Sequence, residues 1–376
     1  MAAPVGASRP PMSIRLMRRQ VGQLLTAGFA GPSLSVELRE IAREFDLGTV
    51  ILFKRNVEEP AQVAELSMEA AQLGREMPAW VGVDQEGGRV ARLRAPFTEW
   101  PPMAVLGRAD DPSLPERFAT ALARELVAVG ITLDYAPVVD VLTQPNNPAI
   151  GDRAISSDAA RVSAIGAVII ETLQREGIAA CAKHFPGHGE ATVDSHLALP
   201  VVEAPPDRLE AVELAPFRAA IAADVAFVMM GHLLVPAVDE TSPATLSRTL
   251  VSGWLREKLG FTGPILTDDL DMQAIAAGTT IEEIAVKAIA AGCDGLLTCG
   301  ADHERQVRAL EAIIRAMESG ALPARTVEDA LARHRRVKER FLRGHRATRP
   351  TGARRWREIV GSREHLAVAE AIAQFQ

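Results

Sequence analysis

The sequence predicts an α/β chain folded as a (β/α)8 TIM-type barrel with a C-terminal helical tail, and three observations predict it. One unit recurs along the chain: an amphipathic stretch, a glycine, then a short apolar run ending in polar residues. Eight such apolar runs lie between residues 24 and 297, the number a closed β/α barrel requires. Nearly every run delivers a polar or ionisable residue to its C-terminal end, the side on which such barrels carry their active sites.

The strands are expected at Leu24–Phe29, Thr49–Phe53, Trp80–Val83, Thr132–Ala136, Ala179–Ala182, Val225–Met229, Pro264–Leu266 and Gly295–Leu297. They are apolar without alternation, as suits parallel strands buried on both faces. Between them, Phe118, Leu122, Leu126 and Val129 share one helical face before Gly130. Val162, Ile165, Ile169 and Leu173 do so before Gly177, Trp254, Leu255 and Leu259 before Gly260, and Ile281, Ile284, Ala288 and Ile289 before Gly292. A glycine just past a helix supplies the left-handed residue that stops it. An open doubly wound sheet is the alternative architecture, but the Gly87-Gly88 pair lacks the dinucleotide-binding pattern. Beyond about residue 320, Val327–Leu342 reads as a basic amphipathic helix whose charges form a solvated surface. Arg343–Arg357 is arginine-rich with Pro350 and Gly352, and Glu364–Gln374 is a final short helix. The expected division is a 1–20 N-terminal arm, a 21–342 barrel and a basic, partly helical 343–376 tail.

Composition narrows the function. The 376 residues carry a net charge of -7, 48% hydrophobic and 24% charged residues, ordinary values for a globular chain without a nucleic-acid footprint. Cys181, Cys293 and Cys299 show no paired spacing, which fits a reducing compartment. No apolar run has the length of a signal peptide or a membrane span, so the expected address is the cytoplasm, with neither nucleic acid nor membrane as partner.

The strand ends read Lys54-Arg55-Asn56, Asp84-Gln85-Glu86, Asp140, Lys183-His184, His232, Asp268-Asp269 and Thr298, a convergence that favours an enzyme over a binding scaffold. The densest chemistry is Lys183-His184-Phe185-Pro186-Gly187-His188-Gly189 followed by Asp194-Ser195-His196. Its side chains could bind a metal, giving a metal-dependent barrel hydrolase, yet Pro186 and Gly187 prevent His184 and His188 from sharing a helix face. His188 is readily explained as a packed loop residue. Asp194, two residues before His196, can orient and polarise that imidazole, making a general acid/base dyad. In Thr267-Asp268-Asp269-Leu270-Asp271-Met272, Asp268 is the candidate carboxylate nucleophile, whereas Asp271 fits a helix cap or acidic first turn. Asp84, Glu86, Arg89, Arg92 and Arg153 are suited to bidentate hydrogen bonds with sugar hydroxyls or anions. For Arg89 a buried ion pair is the plainer account.

Together, Ile51–Asn56, Val83–Arg92, Ala136–Asp140, Ile150–Arg153, Lys183–His196 and Thr267–Met272 resemble glycoside hydrolase family 3, in its bacterial β-N-acetylglucosaminidase branch. The resemblance implies a retaining mechanism without cofactor or metal. Asp268 would form a covalent glycosyl-enzyme, while His196, oriented by Asp194, would replace the carboxylate acid/base of most glycosidases. Asp84, Arg92, Arg153, Lys183 and His184 would bind the sugar. The implied substrate is a muropeptide of N-acetylglucosamine joined to anhydro-muramic acid, in peptidoglycan recycling. A β-glucosidase, β-xylosidase or glycoside phosphorylase is the alternative within the family. Ser362–Glu370 resembles the segment leading into the second domain of two-domain members, and Tyr135 has no assigned role. The glycines flanking His188 are expected to make its loop mobile.

Overall fold

The computed structural model describes residues 12–195, 197–343 and 356–376. Its centre is a closed barrel of eight parallel strands: β1 Leu25–Ala27, β2 Thr49–Leu52, β3 Trp80–Val83, β4 Leu133–Asp134, β5 Ala179–Phe185, β6 Phe227–Met230, β7 Ile265–Asp269 and β8 Gly295–Thr298. Every strand pairs with its neighbours in sequence, and β1 closes on β8 through Leu25 opposite Leu296. The expected barrel is therefore the observed one.

The outer layer includes α1 Ile14–Gln20, α2 Val36–Phe45, α3 Pro60–Ala71, α4 Leu114–Ala128, α5 Ala159–Arg175, α6 Ala215–Ala222, α7 Ile281–Ala291, α8 His303–Glu318, α9 Ala324–Leu342 and α10 Arg363–Ala373. A wide helical segment, Thr249–Lys258, carries the Trp254–Leu255 face between β6 and β7. The glycine stops behave as read: Gly130 and Gly292 follow α4 and α7 with φ of 79° and 115°.

Two strands run further than their apolar content suggests. β5 continues through Lys183 and His184 to Phe185, and β7 through Asp268 and Asp269. Both carry an irregular register there. Lys183 pairs with Met229 and Phe185 with Met230, leaving His184 as an extra residue, and Leu266 to Asp269 on β7 spans only Gly295 to Leu297 on β8. In a regular strand consecutive side chains point to opposite faces. A bulge breaks that alternation and re-aims a side chain. Lys183 with His184, and Asp268 with Asp269, consequently line the same cavity.

Inside the bore, Trp80, Leu133, Tyr135, Cys181, Phe227, Met229, Leu266 and Leu297 form a core separate from the one between strands and helices. Trp80 meets Phe227 edge-on at 5.6 Å. Tyr135, unassigned from sequence, is fully buried, its hydroxyl 3.2 Å from Thr26 Oγ1. Each such side chain contributes roughly 1.5–3 kcal/mol by leaving water.

Helix α9 closes the bottom of the bore with Val337, Phe341 and Leu342. Its basic residues are not all solvated, contrary to the sequence reading. Lys338 is 1% exposed and donates to Gln23 Oε1 at 2.7 Å and to the Gly48 carbonyl at 2.9 Å. Arg333 reaches the buried Asp294 at 2.8 Å. An amphipathic pattern shows which face turns inward, but not that a long stem can carry its charge across that face.

In the tail, α10 lies against α4. The buried Glu125 carboxylate accepts from Thr98 N and Oγ1 at 3.0 and 2.6 Å, and from Gly361 N and His365 Nδ1 at 2.9 Å each. Among the described residues, no helix is long and apolar enough to cross a membrane.

Candidate active site

The C-terminal ends of the strands open into a cavity of about 300 Å³, within the size range of small-molecule sites. Asp84, Arg92, Arg153, Lys183, His184, Asp194 and Asp268 all line it. His196, the eighth candidate, lies outside the described residues.

One wall is an ionic network. Lys183 Nζ donates to Asp84 Oδ1 at 2.8 Å and to Glu86 Oε1 at 2.7 Å. Arg153 grips Glu86 with two parallel bonds of 2.8 Å, and Arg92 Nη2 donates to Asp84 Oδ2 at 3.1 Å. Burial opposes charge on Lys183, but Asp84 and Glu86 outweigh it and hold the ammonium above its usual range. Burial likewise opposes the Glu86 carboxylate, and Arg153 and Lys183 reverse the sign, holding it well below the usual range. Nearby Asp134 has no such gripping cation; burial dominates, and its carboxyl is pushed up to about 7.

The second wall is made by His184, Asp140 and Asp268. His184 Nδ1–H donates to Asp140 Oδ2 at 2.8 Å, and the Asp140 carboxylate also accepts from the backbone N–H groups of His184 and His188 at 3.2 and 2.7 Å. Because Nδ1 is committed to Asp140, Nε2 is the nitrogen left for the cavity. Asp268 is half-buried in the cavity wall, and the loss of water around it alone would raise its carboxyl. The imidazoles of His184 and His232, the Asp269 N–H at 2.8 Å and the Lys183 ammonium outweigh that cost and hold it below the usual carboxylate range. Burial lowers His232 itself below the usual imidazole range, and its Nε2–H donates to the Asp269 carbonyl at 3.0 Å. Asp269 differs from its neighbour: desolvation pushes its carboxyl up to about 6, although the Cys299 and Asp271 N–H groups bond to it.

Several sequence expectations change here. Arg89 does pair with an aspartate, Asp152 at 3.0 Å, but both side chains are about half exposed; the guanidinium also ties down the Ala149 carbonyl at 2.6 Å. Asp271 caps no helix. It accepts from Gly300 N at 3.0 Å and Arg305 Nε at 2.6 Å, bracing the β7 end against α8. The glycines beside His188 serve close packing rather than mobility: a Cβ on Gly189 would sit 1.7 Å from the Val141 carbonyl oxygen. His188 is a packed residue, as read, at 2% exposure. Among the described residues, no group of three or more His, Cys, Asp or Glu side chains is placed to hold a metal ion.

Asp140 and His232 join the site without having been singled out for a role, and Glu86, read as a sugar-binding acid, instead holds Arg153 and Lys183. Glu86 and Asp140 stand in the quoted segments, yet Asp140 lies 44 residues from His184 and Glu86 67 from Arg153. Spacing in sequence carries no trace of such pairs. The arrangement offers an ionised carboxylate facing a cavity lined with hydroxyl-binding acids and cations, a set suited to attack on a polyhydroxylated substrate.

Comparison with known proteins agrees with this chemistry. The family profile described as glycosyl hydrolase family 3 N terminal domain matches residues 16–337. A β-hexosaminidase of Thiobacillus denitrificans is 39% identical over 276 residues, 72% of this chain and 76% of its own length. A family 3 β-N-acetylglucosaminidase from Paenibacillus sp. superposes with a TM-score of 0.87 at 39% identity, over 95% of this chain and 68% of that one. Native NagZ from Neisseria gonorrhoeae gives a TM-score of 0.76 at 31% identity, covering 94% and 97% of the two chains.

Proposed function

Because the chain belongs to glycosyl hydrolase family 3, we propose that it is a retaining exo-β-N-acetylglucosaminidase that removes a terminal β-linked N-acetylglucosamine. The observation that carries this reading is the meeting of seven candidate residues in one cavity, with Asp268 held ionised among them. The names of the relatives, β-hexosaminidase and β-N-acetylglucosaminidase, supply the sugar.

In this reading Asp84, Arg92, Arg153, Lys183 and His184 hold the sugar, their charges already ordered by Glu86 and Asp140. Asp268 attacks the anomeric carbon; the bond to the leaving oxygen breaks as His196, oriented by Asp194, protonates that oxygen. Water then donates a proton to His196 and attacks the same carbon, which releases Asp268 and the sugar with its starting configuration. One water is consumed per bond. The natural substrate in this account is a muropeptide carrying N-acetylglucosamine on anhydro-muramic acid, processed in the cytoplasm during peptidoglycan recycling. Residues 21–342 would be the catalytic barrel, with 1–20 an arm and 343–376 a tail.

The test is turnover of aryl β-N-acetylglucosaminide, β-glucoside and β-xyloside by the full chain, with and without phosphate. Preference for the N-acetylated sugar, indifference to phosphate and loss of turnover in Asp268→Ala are expected. Equal turnover by Asp268→Ala would end this reading. Preference for the glucoside or xyloside, or a requirement for phosphate, would replace it with the corresponding family 3 activity.

A further inference from the structure

The stretch between β5 and α6 divides into two parts. Residues 187–191 are clamped: Asp140 accepts from His188 N at 2.7 Å, Asn147 Nδ2 donates to the His188 carbonyl at 2.8 Å, and Gln144 N donates to the Gly189 carbonyl at 3.1 Å. Ala191 is fully buried. At the far end, Pro200 and Val202 are fixed to Leu234 through bonds of 2.8 and 2.9 Å. Between these anchors, Ser195 alone is buried among the described residues 192–199, and Leu197 is 77% exposed.

Ser195 has two long-range bonds. Its Oγ shares a hydrogen bond of 3.3 Å with His188 Nε2, and its carbonyl accepts from Ala274 N at 3.2 Å. The first bond reaches the clamped base of the loop; the second reaches the segment just beyond β7, the strand that carries Asp268. The His188 ring is held by its own backbone, which Asp140 fixes together with His184. A bonded path therefore runs from Asp140 through His188 to Ser195, whose chain neighbour is Asp194. The buried hydroxyl on a buried imidazole and the Ser195 carbonyl on Ala274 N both help to offset the entropy of ordering this otherwise exposed loop.

We propose that Ser195 and His188 are positioning residues: their hydrogen bond latches the loop so that Asp194 is held on the cavity wall. The proposal rests on the Asp194–His196 proton-transfer role stated above. Both residues line the cavity, and neither is assigned contact with the reacting atoms. Each acts through Asp194, and a misplacement of about 1 Å in such a group costs on the order of 100-fold in rate.

Leaving-group dependence tests it. A phenyl glycoside needs protonation as its bond breaks, whereas a dinitrophenyl glycoside leaves unaided, so loss of acid catalysis slows only the former. In the full chain, Ser195→Ala and His188→Ala are expected to lower kcat/KM for phenyl β-N-acetylglucosaminide about 10- to 100-fold and to leave the dinitrophenyl substrate within about threefold. Azide should raise kcat of both variants by replacing poorly activated water, and Ser195→Thr, which keeps the hydroxyl, should restore the phenyl rate. Equal loss on both substrates, or no loss on either, overturns the latch. Asp194→Ala run alongside separates the two claims. If it shows the leaving-group signature and Ser195→Ala does not, the latch alone fails; if Asp194→Ala lacks the signature, the proton-transfer role falls and the latch with it.

Discussion

Nδ1 of His184 stands 2.8 Å from Oδ2 of Asp140, in a pair closed to solvent at the end of β5. The same carboxylate holds two backbone N–H groups, so one side chain sets the tautomer of His184 and the path of the chain through His188. Burial works against the Asp140 carboxylate, but His184, His188 and these bonds hold it below its usual range.

Removing that carboxylate should therefore cost activity without removing any group proposed to bind sugar. Asp140→Ala is expected to lower kcat/KM on an aryl β-N-acetylglucosaminide about 100-fold, the equivalent of one or two charged hydrogen bonds. Asp140→Asn, which keeps an acceptor for Nδ1–H, should fall between variant and wild type. A value for Asp140→Ala equal to wild type would show that His184 needs no orientation.

Glu86 is the hub of the ionic wall. Glu86→Ala leaves Lys183 and Arg153 in a buried site without their shared partner, a change that typically costs about 3–5 kcal/mol. Urea unfolding at neutral pH should show that loss. The folded-state carboxyl of Glu86 is depressed, so its stabilisation is complete above the ordinary value of 4.5 and drains away as pH falls through the lower folded value. Wild type should accordingly lose stability below pH 4.5 more steeply than Glu86→Gln.

Lys338 makes the opposite prediction at the barrel floor. Burial pushes its ammonium down to about 7 from 10.5, with Asp46 opposing. A neutral amine has two N–H groups to give, matching the Gln23 and Gly48 acceptors. Between pH 7 and 10.5 the unfolded chain binds the proton that the folded chain has released, so this group makes stability rise with pH. Relative to Lys338→Met, wild type should gain on the order of 3 kcal/mol between pH 6.5 and 9.5. Comparing the two chains cancels the titration of the cysteines, and parallel pH profiles would refute the buried amine.

The barrel was legible because parallel strands buried on both faces must be largely apolar, and the eight runs from Leu24 to Leu297 meet that requirement apart from Asp134 in the fourth. The ends of β5 and β7 were not: Lys183, His184, Asp268 and Asp269 are too polar to read as strand, and only the ion pairs and bulges formed on folding keep them in the ladder. The same limit explains Glu86 and Asp140, each visible as an acid at a strand end, neither visible as a partner. For the Asp194–His196 pair, proximity in sequence and the family resemblance were the signals. The structure places Asp194 on the cavity, while His196 falls outside the described residues.

Asp268 is the group proposed to bond to carbon, and trapping tests that most directly. Incubation of the full chain with a 5-fluoro-N-acetylglucosaminyl fluoride should add one sugar per chain. Peptide mapping should then place it on the segment Ile265–Met272, at Asp268. Label on another side chain would contradict Asp268 as the nucleophile, and release of the inverted sugar with no covalent adduct would contradict the retaining mechanism as well.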